Sequence, residues 1–327
     1  MLETANREAR PWHRPDGVNP GRARGAIRRL YDREDLAPSR LSAPLLVRPD
    51  GEATGALPGE VDLAGLEQEV LRLADLGLGG VKVFVTGHDR DAYASGARAT
   101  RNRMILAVET IKAAAPDLAI TTEVCGCSWT SSHECVLRDS DGRIDLYGTY
   151  ELMGEMAVLH ARAGVDVVSP TAMLDGSIRI VRRALDSDGW RDVSVNPNIA
   201  VDTALYGPFR NVMGTQPASG RRHGLQIDPA RLVPDVMACA DRWLAEGADT
   251  LTLQPVMTNT DALSALGGQT SVPVVAYSTS GEWAALRDLP DQVALDYHRM
   301  LFRLGADHVL TFAAASIAQS LHDGAKS

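Results

Sequence analysis

Three cysteines crowd one stretch, TTEVCGCSWTSSHECVL at 121–137, where Cys125, Cys127 and Cys135 form a C-x-C-x7-C pattern. Thiolates this close together suit zinc. A structural zinc takes four protein ligands, whereas a catalytic one keeps three and leaves a position for water or substrate, so three thiolates favour an open site. The fourth cysteine, Cys239, lies far off in a helical run. Two other arrangements fit the same residues: a closed Cys3His site completed by His133, and three unligated thiols in a reducing cytosol.

A loop that carries a metal must be held by something rigid. The cysteines follow a buried strand, Leu118 to Glu123, which is one of eight apolar runs. The runs are APLLVR, VKVFVT, LAITTE, VDVVSP, DVSVNPN, DTLTLQP, VPVVAYS and DHVLTFA, separated by stretches of helical period. Runs that are apolar throughout are buried on both faces, and their alternation with helices implies parallel pairing. In the first intervening helix Leu63, Leu66, Val70 and Leu73 share one face. Three junctions share one wording, Gly164-Val165-Asp166, Gly247-Ala248-Asp249 and Gly305-Ala306-Asp307, with a glycine to end each helix in a left-handed turn. The expected fold is an α/β (β/α)8 TIM barrel, residues 41–327, preceded by an N-terminal arm, residues 1–40. The arm's apolar stripe of Ile27, Leu30, Tyr31 and Leu36 suits packing on another subunit. A doubly wound open sheet is disfavoured, because no glycine-rich fingerprint follows the first strand.

In such a barrel the chemistry sits at the C-terminal strand ends. There the sequence offers His88 and Asp89, Glu123 with the cysteines, Thr171 and Asp175, Gln254, Tyr277 and Ser280, and Phe312. The segment 207–228 has no apolar period and reads as a lid, on which Arg210, Arg221 and Arg222 suit a carboxylate. A net charge of -9 excludes a nucleic-acid or anionic-membrane partner of the usual electrostatic kind, and no apolar run is long enough to span a bilayer, so a cytoplasmic location is expected.

Taken together, the cysteine loop, SPTAMLDG, the YGPFR box, LQIDP and YSTSGEW resemble porphobilinogen synthase, also called 5-aminolevulinate dehydratase, in order from about Arg28 to the C-terminus. The resemblance implies a zinc-dependent lyase whose arm assembles dimers and then an octamer, and which condenses two molecules of 5-aminolevulinate into a pyrrole. It also implies zinc on Cys125, Cys127 and Cys135, with Glu123 where the family commonly has aspartate. Arg210, Arg221 and Gln226 would hold the carboxylate of the zinc-side substrate and Ser280 that of the other. Thr171 and Asp175 fall near the reacting groups. The family's two Schiff-base lysines, however, fall at Ala200 and Gln254, a substrate-binding tyrosine falls at Phe312, and an allosteric magnesium carboxylate falls at Pro234. The wording before the third cysteine is also altered, to Ser132-His133-Glu134.

Neither alanine nor glutamine can form an imine. Only Lys82, Lys112 and Lys326 are lysines, and Lys82, near the start of its strand, is expected toward the face opposite the mouth. The reading is therefore a zinc enzyme of altered chemistry acting on a small amino or keto carboxylic acid, with Glu123, Asp175, Thr171 and His88 as catalytic candidates and Arg210, Arg221, Gln226, Ser280 and Gln254 binding substrate. A non-catalytic oligomer that binds a metabolite or partner, and a residual 5-aminolevulinate dehydratase, are the alternatives.

Overall fold

The computed structural model describes residues 36–217 and 225–324. The arm before residue 36, and Arg221 and Arg222 of the expected lid, lie outside the described residues.

The strands are β1 (Leu41–Arg48), β2 (Glu60–Asp62), β3 (Gly80–Val85), β4 (Ala119–Val124), β5 (Val167–Pro170), β6 (Ser194–Val195), β7 (Asn198–Ala200), β8 (Leu251–Gln254), β9 (Val274–Ser278) and β10 (His308–Thr311). They pair in the order β6-β5-β4-β3-β1-β10-β9-β8-β7, with β2 added to β1, and every pairing is parallel. The two ends of that order are neighbours in the chain, which closes the sheet into a barrel. Only Asn196 and Pro197 separate β6 from β7, and proline cannot donate to a ladder. The interruption is bridged on both sides: Asn196 N donates to Val168 O at 2.9 Å and Thr252 N to Pro197 O at 3.0 Å. The run expected as one strand is thus two short ones, and the barrel is the expected (β/α)8 type.

Helices α1 (Leu63–Asp75), α2 (Arg103–Ala114), α3 (Leu146–Arg162), α4 (Ser177–Ser187), α5 (Gly207–Met213), α6 (Leu232–Glu246), α7 (Thr260–Gln269), α8 (Ser280–Leu286), α9 (Asp291–Arg303) and α10 (Ala314–Gly324) fill the connections. α1 shows how local sequence fixes these elements: the Asp62 carboxylate caps it by accepting from Gly65 N at 2.9 Å, and Leu66, Val70 and Leu73 are buried. Gly164, Gly247 and Gly305 take φ of 101°, 103° and 105°, the left-handed turn expected at each helix-to-strand junction. No helix among the described residues is long and apolar enough to cross a membrane.

Candidate active site

Cys125 leaves the C-terminal end of β4, and the loop then doubles back. Gly126 N donates to Cys135 O at 3.2 Å, and a Cβ on Gly126 would lie 2.9 Å from that oxygen, so only glycine permits so close a return. The doubling brings the sulfurs of Cys125, Cys127 and Cys135 within 4.8 Å of one another, all three buried. The Cys125 thiol is held well above its ordinary pKa by hydrogen bonds with Cys127 and Cys135, by burial and by their charge. Three buried thiolates at this spacing repel one another, so the trio ionises together only around a cation. That donor set fits zinc. His133 turns away from the sulfurs: its Nδ1 lies 2.5 Å from Gly214 O and beside Arg90. The thiols therefore stand as a group of three among the described residues.

The trio forms one wall of a cavity that reaches into the barrel mouth. Glu123, the last inward residue of β4 before the cysteines, lines it and accepts from Ser128 Oγ and Thr171 Oγ1 at 3.4 Å each. Across the cavity, Arg210 of α5 lies over the Tyr206 ring, 5.0 Å from its centroid, and the Tyr206 hydroxyl is fixed by Gln254 O at 3.0 Å. Ile227 N donates to Ala200 O at 2.9 Å, a strand-like contact that presents Gln226 to the same space. Met173 sits at the edge with φ of 58°, uncommon for a residue with a side chain, and its sulfur accepts from Ala200 N at 3.1 Å.

The family profile of delta-aminolevulinic acid dehydratase matches residues 18–320. The chain belongs to the delta-aminolevulinic acid dehydratase family. Among curated relatives, the dehydratase of Methanothermobacter thermautotrophicus is 32% identical over 89% of this chain and 93% of its own length. That of Synechocystis is 31% identical over 94% of this chain and 99% of its own. Among solved structures, the Toxoplasma gondii dehydratase, crystallised with its product porphobilinogen, superposes with a TM-score of 0.88 at 26% identity, covering 94% of this chain and 93% of its own.

The dehydratase-like motifs converge. The three cysteines, Glu123, Thr171, Arg210, Gln226, Gln254 and Ser280 all line the one cavity, together with Ala200. Ser280 is placed by the approach of α8 to Leu205, where a Cβ on Gly281 would meet Leu205 O at 2.4 Å; its Oγ accepts from Phe209 N at 2.9 Å. Two candidates do not join them. Asp175 pairs with Arg242 of α6 on the surface, with its side chain 61% exposed. His88 is stacked on Trp129 at 3.8 Å with Nε2 on Ser128 O at 2.6 Å, and burial lowers its pKa to about 4, so it packs the cysteine loop from behind.

Lys82 lines a second cavity at the opposite end of the barrel, with Thr252 and His308, as the sequence led one to expect, and is not among the residues lining the mouth cavity. Its amine points into the barrel interior, where Nζ donates to Ser169 Oγ at 2.8 Å and Asn198 Oδ1 at 3.0 Å. Strand period puts Lys82 and Phe84, two residues apart in β3, on the same inward face. The sequence reading passed over Glu282. This buried carboxylate accepts from Val256 N at 3.0 Å, Met257 N at 2.5 Å and the Tyr297 hydroxyl at 2.9 Å, as well as from Thr279 N in a capping box, and so joins the exit of β8 to α8.

Proposed function

We propose that this chain is a zinc-dependent lyase-type enzyme acting on a small amino or keto carboxylic acid, by a chemistry altered from that of the dehydratases it is related to. What carries the reading is a single cavity that unites the thiol trio, a carboxylate and an arginine while holding Ala200 and Gln254 where related enzymes are expected to have lysines. Cys125, Cys127 and Cys135 would hold the ion, which when bound supplies a Lewis acid at the cavity wall.

The other roles belong to the chain's own residues. Arg210 and Gln226 grip the substrate carboxylate, since a guanidinium offers paired donors to it. Glu123, in contact with the Thr171 hydroxyl, holds or moves a proton at its carboxylate oxygens. Ser280 and the Gln254 amide orient the far end of the ligand. Tyr206, Phe209 and Leu225 contribute apolar surface to the cavity lining. We extend the family's homo-oligomeric assembly to this chain on the same grounds.

The test is to purify the full chain with zinc, measure binding of 5-aminolevulinate and of its deaminated analogue 4-oxopentanoate, and assay for porphobilinogen. Binding of both without porphobilinogen at a rate typical of enzymes is expected. Robust porphobilinogen formation would return the chain to the ordinary dehydratases, and failure to bind either acid would remove the substrate class.

A further inference from the structure

We propose that the second cavity, at the N-terminal ends of the strands, is a site for a small inorganic oxyanion of the phosphate class, separate from the mouth. Its lining comes from every strand of the barrel ring except β7, so it lies on the barrel axis. The inner layers of such barrels are normally filled by branched apolar side chains. Here Thr121, Ser194, Asn196, Thr250 and Thr252 take many of those places, together with Lys82, and among the described residues no aspartate or glutamate lines the space.

The wall is rich in hydrogen-bond donors that the fold does not use. Thr252 Oγ1 donates to Asn196 Oδ1 at 2.6 Å, which engages the acceptor end of that amide. Asn196 is 8% exposed, and nothing among the described residues accepts from its Nδ2, so two N–H groups are presented to the cavity. The side-chain hydroxyls of Thr121 and Ser194 likewise make no hydrogen bond among the described residues, and Thr250 Oγ1 is buried without a partner. A buried polar group left unpaired costs about 1–3 kcal/mol, so this wall favours a ligand that brings several acceptor oxygens.

Charge favours the same ligand. Lys82 is 3% exposed, and Nζ donates to Ser169 Oγ at 2.8 Å and Asn198 Oδ1 at 3.0 Å, which takes two of the three N–H groups of an ammonium. No carboxylate forms an ion pair with it among the described residues, and a buried ammonium without a counter-ion is costly. Burial accordingly lowers the amine's pKa to about 7, against the opposing fields of Glu123 and Cys125. An anion in the cavity supplies the missing counter-charge. His308, whose Nε2 lies 2.7 Å from Ser42 Oγ, is kept neutral by burial, which lowers its pKa to about 4, and the charge of Arg40 acts on it from the same end. The aspartates of this end are already engaged. Asp166, Asp249 and Asp307 accept from Ile120 N at 2.9 Å, Val195 N at 2.8 Å and Val274 N at 2.9 Å, and none of the three lines the cavity.

A pool of water is the competing occupant. Water both donates and accepts and would satisfy the hydroxyls, yet it carries no charge to set against Lys82. A metal cation is disfavoured by that same ammonium and by a lining that offers no carboxylate among the described residues.

The experiment uses the full-length protein with inorganic phosphate as the probe, titrated in a thermal-shift assay against chloride at matched ionic strength. Crystals soaked in arsenate, whose arsenic is located by anomalous scattering, read the position. The expected result is a saturable stabilisation by phosphate that is retained in Arg210→Leu, which removes the guanidinium of the mouth. Asn196→Leu and Lys82→Met should each weaken phosphate by about 10-fold or more, the worth of a charge-assisted hydrogen bond. Ser194→Asp changes a half-buried wall position rather than the interior, so it should fold and lose the phosphate response by placing a like charge in the cavity. Arsenic should lie within hydrogen-bond reach of Asn196 Nδ2. The proposal is overturned by no saturable phosphate shift in the parent, or by a shift lost in Arg210→Leu but unchanged in Asn196→Leu and Ser194→Asp. Arsenic found only outside this cavity overturns it as well, and each of these outcomes leaves the reading of the mouth intact.

Discussion

Replacing Lys82 with methionine tests the charge state of the buried amine without any ligand. The amine's ordinary value of 10.5 is lowered to about 7 in the folded chain by burial. Between those values the unfolded chain binds a proton that the folded chain has released, so stability must rise with pH across that window. Each pH unit is worth about 1.4 kcal/mol; two units from pH 7 to 9, less the part lost because the amine is half protonated at the start, leave about 2 kcal/mol. Urea unfolding of both proteins at pH 7, 8 and 9, at one fixed protein concentration and without metal, should show the parent gaining that amount relative to Lys82→Met. The Cys125 thiol, whose pKa is raised, pulls the other way in both proteins. Parallel curves, agreeing to within about 0.5 kcal/mol across the series, would refute the claim that folding strips the proton from Lys82.

Three other outcomes are expected. Cys125→Ser should reduce bound zinc from about one ion per chain to near none in metal analysis after dialysis, since two thiolates and a hydroxyl make a poor site. Arg210→Leu should weaken 4-oxopentanoate binding by roughly 10- to 100-fold in calorimetry, the worth of a charge-assisted carboxylate contact of about 1.5–3 kcal/mol. His160 lies fully buried with Nδ1 2.9 Å from Thr122 Oγ1, and burial lowers its pKa to about 3. Protons therefore bind the unfolded chain first as pH falls below 6.5, and His160→Gln should remove about 2 kcal/mol of the acid destabilisation seen by pH 5 in urea unfolding.

The eight-strand architecture was legible because buried parallel strands leave apolar runs and because three glycines mark helix ends that no other residue terminates as cheaply. The thiol trio was legible for a similar reason: covalent spacing already confines Cys125 and Cys127, and a short loop returns Cys135. Side-chain direction was harder to read. Asp175 falls in the right loop, yet Arg242, distant in sequence, draws its carboxylate to the surface. His88 follows the right strand, but the indole of Trp129 offers it a face to stack on. Lys82 borders the opposite end of the barrel as expected, but its reach was not read: a lysine side chain extends roughly the rise of two strand residues, about 6.6 Å, which brings its nitrogen to Ser169 and Asn198. The hydrogen-bonded chain from Ser169 through Asn198 to Gln254 has no sequence signature, because its members come from separate strands brought together only by closure of the barrel.

The Glu282 carboxylate gives the barrel mouth a hinge pin. By taking donors from Val256 and Met257 on one side and from Thr279 on the other, it ties the exit of β8 to the start of α8. Gln254, two residues before Val256, and Ser280, one residue after Thr279, are thereby yoked. The two ligand-facing side chains, on neighbouring strand ends of the opening, therefore share one anchor.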